Sequence, residues 1–241
     1  MHKGKTILAF IGARGGSKGL KNKNIIDFAG GPLLVWSIEA ARESKYVDRT
    51  IVSTDSEAIA EVAKQAGADV PFLRPAKIAR DTSRIEEAIE HSLLWIREYE
   101  GRTYDYILLL QPTSPLRTVK HVDAAIEHFF KYKKTKRDTL VSVNELPAKV
   151  GWLMSKDKKG YIQFCIKAAE KQHRRQDIPE YYLPNGSIYL MPTAGVAKDG
   201  LFPECTIPFV MEEEVSVDID SQEDLRRALD IFKKRKEMVN I

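Results

Sequence analysis

Apolar and polar positions alternate along the first part of the chain in two periods. Thr6–Ala13 is a continuous apolar run leading into glycines, the pattern of a strand buried on both faces. Leu33–Arg42 carries Leu33, Leu34, Trp36, Ile38 and Ala41 at helical spacing. Thr50–Ser53 reads as a short strand, and Ser56–Gln65 as a helix stopped by Gly67 just past its end. Arg84–Glu98 is an amphipathic helix with Ile85, Ala88, Ile89, Leu93 and Ile96 on or near one face. Tyr106–Leu110 is a strand, Val119–Tyr132 a helix and Leu140–Val143 another strand. Strand and helix in alternation predict an α/β fold, a mostly parallel sheet flanked by helices. Such sheets bind ligands at the carboxyl ends of their strands.

The pattern breaks over residues 145–184. Lys156–Gly160 reads as a hairpin turn, and His173–Asp177 is polar and charged. This stretch is expected to be an inserted arm on a single domain spanning residues 1–241. Ile188–Met191 and Val215–Ile219 return as predicted strands. Ser221 with Asp224 forms a capping box for a last helix, Gln222 to about Lys236.

Composition removes several classes of function. The 38 basic and 34 acidic residues give a formal net charge of +4, too mild to argue for nucleic acid. No apolar run approaches the roughly 18 residues that would span a membrane. The start leads straight into the first strand, so no cleavable export signal is expected. Cys165 and Cys205 stand far apart without CxxC spacing, which suggests a reducing compartment and hence the cytoplasm. The five histidines show no HxxxH pairing, so a zinc site is not expected.

Two segments carry chemistry. Ala13-Arg14-Gly15-Gly16-Ser17-Lys18-Gly19 directly follows the first strand, with Lys23-Asn24 close behind. Glycines let backbone N–H groups approach an anion, and Arg14, Lys18 and Lys23 add charge, a composition suited to a nucleoside triphosphate. The phosphate loop GxxxxGK[ST] does not fit, because Ser17 stands at its second glycine and Gly19 at its hydroxyl position. A GxGxxG is absent too. The second segment is Val217-Asp218-Ile219-Asp220. On an extended chain its two carboxylates share a face roughly 7 Å apart, an arrangement that suits a hard cation such as Mg²⁺.

Together these runs resemble those of the cytidylyltransferases that activate nine-carbon acidic sugars, the CMP-sialic acid synthetases and their close relatives. The resemblance rests on the glycine-rich run with Lys23-Asn24, Ile51-Val52-Ser53-Thr54-Asp55, Leu73-Arg74-Pro75-Ala76 and Asp81-Thr82-Ser83. Further on it rests on Gln111-Pro112-Thr113-Ser114-Pro115-Leu116-Arg117, Pro184-Asn185-Gly186-Ser187-Ile188-Tyr189 and the acidic pair. It implies a Rossmann-like nucleotidyltransferase fold and a reaction in which CTP and a 2-keto acid sugar give the CMP-sugar and pyrophosphate. Arg14, Gly15, Gly16, Ser17, Lys18 and Asn24 would hold the triphosphate, and Lys23 would stabilise charge in the transition state. Arg74 and the loop at Ser83 would read cytosine. Asp218 and Asp220 would bind Mg²⁺, with Asp218 acting through the metal or a bound water. Gln111, Thr113, Ser114 and Asn185 fall on the sugar side, and Tyr189 and Phe202 where an apolar wall would meet an acyl group. Arg175 with Gln176 matches an arm that reaches into the partner subunit's site, which implies a homodimer with shared active sites; Arg175 would face the sugar carboxylate.

Leu183 stands where some sialic acid enzymes carry Arg, and Leu201 where some members have a second aromatic. Both fall where the sugar would be recognised, so legionaminic or pseudaminic acid is an alternative to N-acetylneuraminic acid. A glycosyltransferase would share the nucleotide sheet and acidic pair but would not need the basic loop. A non-catalytic CTP or CMP-sugar sensor would be expected to have lost Arg14, Lys23 or an aspartate, and all are present.

Overall fold

The computed structural model describes residues 2–16, 19–166 and 179–239. Its sheet grows from β1 (Ile7–Gly12), in which Ile7, Leu8, Ala9, Phe10 and Ile11 are all fully buried. Ile7, Ala9 and Ile11 belong to one core cluster and Leu8 and Phe10 to another. The period of two along one strand thus divides the core between the two faces of the sheet.

After β1 the chain makes a small β2 (Asp27–Phe28) and β3 (Gly31–Pro32) turn into α1 (Leu33–Arg42). Then come β4 (Arg49–Ser53), α2 (Glu57–Gln65), α3 (Ile85–Glu100), β5 (Tyr106–Leu110), α4 (Val119–Tyr132) and β6 (Thr139–Leu146). The periodicity predicted each of these elements to within a few residues. Ser56 caps α2 by accepting from the Ile59 N–H, and Gly67 at φ +82° takes the left-handed turn beyond it. Buried residues of α1, α2 and α4 join the first core cluster, whereas Ala88, Ile89 and Ile96 of α3 join the second.

With β9 (Tyr181–Pro192) and β10 (Thr206–Val210) added, the six-stranded sheet runs β10-β6-β9-β5-β1-β4. β1 pairs parallel with β4 and β5, and β10 with β6. β9 (Tyr181–Pro192) is antiparallel to both β5 and β6 and lies between them. The architecture is the expected α/β sheet with one strand reversed. The predicted strand Ile188–Met191 is the buried end of the longer β9. β10 (Thr206–Val210) was not foreseen. Its Pro208 argues against a central strand, and the sheet accommodates it by using β10 as an edge.

The predicted strand Val215–Ile219 is a correction. Glu213–Val215 form a 3₁₀ turn, and the following residues are extended without ladder pairing. Val217 and Ile219 are buried while Asp218 and Asp220 are exposed, and the Ile219 N–H donates to the Thr113 carbonyl at 2.8 Å. An extended segment pressing one face on a core gives the same alternation as a strand. The capping box forms as expected: the Ser221 N–H donates to Asp224 Oδ2 at 2.8 Å, and α5 (Gln222–Val239) follows.

Within residues 145–184, β6 and β9 pair from Val143↔Pro184 to Leu146↔Tyr181, past the last residue that β10 covers. This two-stranded ribbon leads to a hairpin of β7 (Met154–Lys156) and β8 (Ile162–Phe164), at the place expected for a turn. β9 bulges at Asn185–Ser187, because two residues of β6, Val141 and Val143, face Tyr189 and Pro184. Gly186, at φ +75°, takes the left-handed conformation there. Ser142 Oγ donates to Asn185 Oδ1 at 2.6 Å and accepts the Ile188 N–H at 2.7 Å, so one hydroxyl holds the bulge. Replacing Ser142 by Ala withdraws the partner of both buried groups. Chemical denaturation should register a loss of about 1–3 kcal/mol, and a change within error would mean the bulge holds itself.

Candidate functional site

The chain passes from β1 to β4 on one side and returns to β5 on the other, so the topology reverses between β1 and β5. A cavity of about 330 Å³ opens at that place, at the carboxyl ends of the strands, where open α/β sheets bind ligands. Gly12 ends β1 at its base, Leu109 and Gln111 come from the end of β5, and Arg14, Lys23 and Asn24 come from the glycine-rich turn. Arg74, Arg80, Asp81 and Ser83 close it from the segment before α3. The lining carries more cations than acids, as an anionic ligand requires.

Each described cation of the phosphate loop already has a carboxylate. Arg14 pairs with Asp81, and Lys23 Nζ lies 2.7 Å from Asp220 Oδ1. The Asn24 amide donates to the Arg14 carbonyl at 2.9 Å and ties the two ends of the turn together. The Gly15 N–H donates to Asp55 Oδ1 at 2.8 Å, so this amide serves the loop's own shape. A methyl built on Gly16 would meet nothing within 4 Å, whereas one on Gly19 would come within 2.5 Å of the Asp220 carbonyl. The loop therefore opens outward at Gly16 and lies against the acidic segment at Gly19, where a side chain cannot fit. Ser17 and Lys18 lie outside the described residues.

Arg74 is buried at the back wall. Its Nε donates to Ser53 Oγ at 3.0 Å and its Nη2 to the Ser53 carbonyl. Burial, offset in part by Asp55 and reinforced by Arg14, pulls its guanidinium down to about 10, still charged at neutral pH. A methyl on Gly12 would come within 2.6 Å of Ile85 Cδ1, so the bare glycine lets Ile85 close against the base of the cavity. Ser83 lines the cavity, but its hydroxyl accepts the Arg80 N–H at 3.1 Å and thus also shapes its own turn.

Next to Gln111, which lines the cavity, a methyl on Gly186 would sit 3.7 Å from both Asp218 Oδ2 and Gln111 Oε1. The β9 bulge therefore lies against the acidic segment and the end of β5 together. Although Asp218 is exposed by surface area, neighbouring protein atoms crowd its carboxyl, and that partial loss of hydration pushes it above its ordinary range; the Thr113 hydroxyl and Lys23 pull it down, and Asp220 and Asp224 push it further up. Tyr189 is buried and is raised by burial and by the Asp218 charge. Its ring meets Phe202 edge-on, centroids 6.0 Å apart, while Phe202 itself is exposed. Asn185 is committed: besides its bonds to Ser142 and Ser187, its amide donates to Ser216 Oγ at 3.0 Å. Its side chain shapes the bulge and does not reach outward. Thr113 and Ser114 are buried just beyond β5. Arg175 and Gln176 fall outside the described residues.

Sequence reasoning did not single out Asp55, Asp81 or Arg117. Each lies inside a motif run already noted, but only the fold reveals that Asp55 and Asp81 face the glycine loop. Among the described residues no cluster of three metal-ligating side chains occurs. Asp218 and Asp220 are the two acidic side chains of the extended segment before the last helix.

Because its folded pKa is raised, Asp218 contributes most to stability below its unfolded pKa, and that contribution is lost as pH rises through the folded value. Asp218→Asn should therefore raise the melting temperature of the ligand-free protein at pH 7. The gain should vanish near pH 4, about the ordinary carboxylate value. Equal melting temperatures at pH 7 would mean that the Asp218 charge is not under strain.

The cytidylyltransferase family model matches residues 8–190. The N-acylneuraminate cytidylyltransferase of Escherichia coli is 34% identical over 230 residues, covering 95% of this chain and 52% of that protein. The CMP-N,N'-diacetyllegionaminic acid synthase of Legionella pneumophila is 35% identical over 226 residues, covering 90% and 92%. The pseudaminic acid cytidylyltransferase of Campylobacter jejuni is 30% identical over 227 residues, covering 94% and 96%. The chain thus spans about half the length of the first relative and nearly all of the other two. A solved structure of CMP:2-keto-3-deoxy-manno-octonic acid synthetase with CTP aligns with a TM-score of 0.69 over 95% of this chain and 99% of its own, at 13% identity. A 4-diphosphocytidyl-2C-methyl-D-erythritol synthase from Anaerococcus prevotii aligns at 0.66, covering 95% and 97%, also at 13% identity. At that identity these two speak for the fold alone, a Rossmann-like nucleotidyltransferase fold. With residues 8–190 matched by the family model and relatives of similar length at 30% identity and above, the chain belongs to the cytidylyltransferase family.

Proposed function

We propose that this chain transfers a cytidylyl group from CTP to a nine-carbon 2-keto acid sugar, a nonulosonic acid, with release of pyrophosphate. The sugar's anomeric hydroxyl oxygen forms a bond to the α-phosphorus while the bond from that phosphorus to the bridging oxygen breaks. Pyrophosphate leaves with the electron pair, and the hydroxyl proton passes to water. The observation that carries this reading is the ion pair of Lys23 with Asp220, which joins a phosphate-loop cation and a metal-candidate acid in one site.

Arg14 and Lys23 stand ready charged, each beside a carboxylate that a nucleotide's phosphates would replace. Arg74, anchored on Ser53, offers a fixed donor to the base at the back of the cavity. The carboxylates of Asp218 and Asp220 repel each other, and a hard cation between them relieves that repulsion; these are the residues that would hold Mg²⁺. Bound there, such a cation would neutralise phosphate charge and make a coordinated oxygen more acidic. Gln111, at the end of β5 beside Asp218, would orient the sugar. Tyr189 and Phe202 would give its acyl group an apolar wall.

A homodimer with shared sites is part of the reading. The arm carries Leu153, Tyr161, Ile162 and Leu183 exposed, more apolar surface than a ribbon of this size keeps without a partner. The two cysteines are free, in keeping with a cytoplasmic enzyme that meets CTP there.

The test is pyrophosphate release from CTP and Mg²⁺ with N-acetylneuraminic, legionaminic and pseudaminic acids, the sugars for which relatives are named. Turnover is expected with at least one. Asp218→Asn should cut it by about a hundredfold or more while leaving a cooperative melt. No pyrophosphate from any of the three, or full turnover by the variant, overturns the reading.

A further inference from the structure

We infer that Arg117 is a positioning residue for the acidic sugar: it fixes the Gln111 carbonyl and the Asn185–Ser187 bulge from beneath and sets an unshared positive charge under that side of the site. The inference rests on the proposed activity and deepens it.

Arg117 lies at the end of the loop after β5, two residues before α4, and is 2% exposed. Its Nη1 donates to the Ser187 carbonyl at 2.8 Å, to the Gln111 carbonyl at 3.3 Å and to Ser187 Oγ at 3.4 Å. Its Nη2 donates to Ser37 Oγ, and that hydroxyl donates in turn to the Gln111 carbonyl at 3.1 Å. One guanidinium thereby ties three elements together: α1 through Ser37, the end of β5 through Gln111, and the β9 bulge through Ser187. A methyl on Gly186 would touch both Gln111 Oε1 and Asp218 Oδ2, so the bulge lies between the end of β5 and the acidic segment, and Gln111 itself lines the cavity.

Every one of these acceptors is neutral. Among the described residues no carboxylate pairs with Arg117, and its Nε is buried without a partner. Burial pulls the guanidinium down to about 9, so it keeps its proton at pH 7. A buried cation without a counter-ion is costly, and a neutral amide could knit a loop without that cost. The cost is explained if the charge serves a ligand that arrives as an anion. Arg14 and Lys23 spend their charge on Asp81 and Asp220; among the described residues no carboxylate takes up that of Arg117. Its fork geometry also matters, because lysine cannot bridge Ser37, Gln111 and Ser187 at once.

The experiment compares Arg117→Met, Arg117→Lys and Ser37→Ala with the wild type, with KM for the sugar and for CTP taken from pyrophosphate release and folding from thermal melts. Arg117→Met should raise the sugar KM about tenfold or more, with the CTP KM within about twofold of wild type. Arg117→Lys should recover part of that loss by restoring the charge. Ser37→Ala should raise the sugar KM about two- to fivefold by loosening Gln111. Equal rises in both KM values, or an unaltered sugar KM, overturn the inference. So does a lysine variant no better than the methionine one. If Arg117→Met lacks a cooperative melt, the other two variants decide: an unaltered sugar KM in Ser37→Ala overturns it. An inert wild type removes the proposed function and this inference together, whereas an active wild type with unsplit constants removes this inference alone.

Discussion

The contact between Lys23 and Asp220 joins the two ends of the described chain, and the site depends on it. Lys23 belongs to the turn after the first strand; Asp220 lies just before the last helix. Nothing local brings them together. The turn is held by Asn24 on the Arg14 carbonyl and by Asp55 on the Gly15 N–H. The acidic segment is held by Val217 and Ile219 in the core and by one backbone bond to Thr113. Gly19 lets the two backbones touch. Exposed ion pairs contribute little to stability, so the meaning of this pair lies in position. It holds a cation of the glycine-rich turn and a carboxylate of the acidic segment 2.7 Å apart, each neutralising the other.

The sheet supplies the frame for that meeting. Hydrophobic periodicity made β1, β4, β5, β6 and the four long helices α1–α4 legible, because each buries a face and the burial pattern repeats with its own period. What the pattern could not carry was direction and order. Nothing in Ser187–Met191 says that β9 runs antiparallel between β5 and β6; an all-buried strand looks alike in either sense. Pro208 hid β10, because the same residue that forbids a central strand is harmless at an edge. Val215–Ile219 misled in the opposite way: its alternation is genuine, but only one face is in contact and no neighbour offers a ladder.

For the site, the residue types were legible and their commitments were not. The glycine turn, Arg74 and the two aspartates announce charge and close approach in sequence; the fold brings the turn and Arg74 to one cavity and pairs Asp220 with Lys23, which lines it. Asn185 carries the same polar promise, yet it is spent on Ser142, Ser187 and Ser216. Ser83 is half spent on its own turn. A sequence lists donors and acceptors, whereas only coordinates tell which have already been used within the protein. The same accounting raises Asp55 and Asp81 from spectators to partners of the loop.

A cavity built this way has two walls of different character. On the nucleotide wall, opposite charges already compensate each other: Arg14 with Asp81, Lys23 with Asp220. Exchange there trades one anion for another and costs little reorganisation. On the other wall, Asp218 is raised by burial and by its neighbours, and Arg117 lies buried with neutral acceptors only. Among the described residues no carboxylate offsets Arg117, and the Thr113 hydroxyl and Lys23 offset Asp218 only in part. Under the proposed reaction, an enzyme that must hold a triphosphate and a second anion in line has reason to divide its charges so. The compensated wall keeps the empty site stable, and the uncompensated wall reserves its electrostatic energy for the reacting complex.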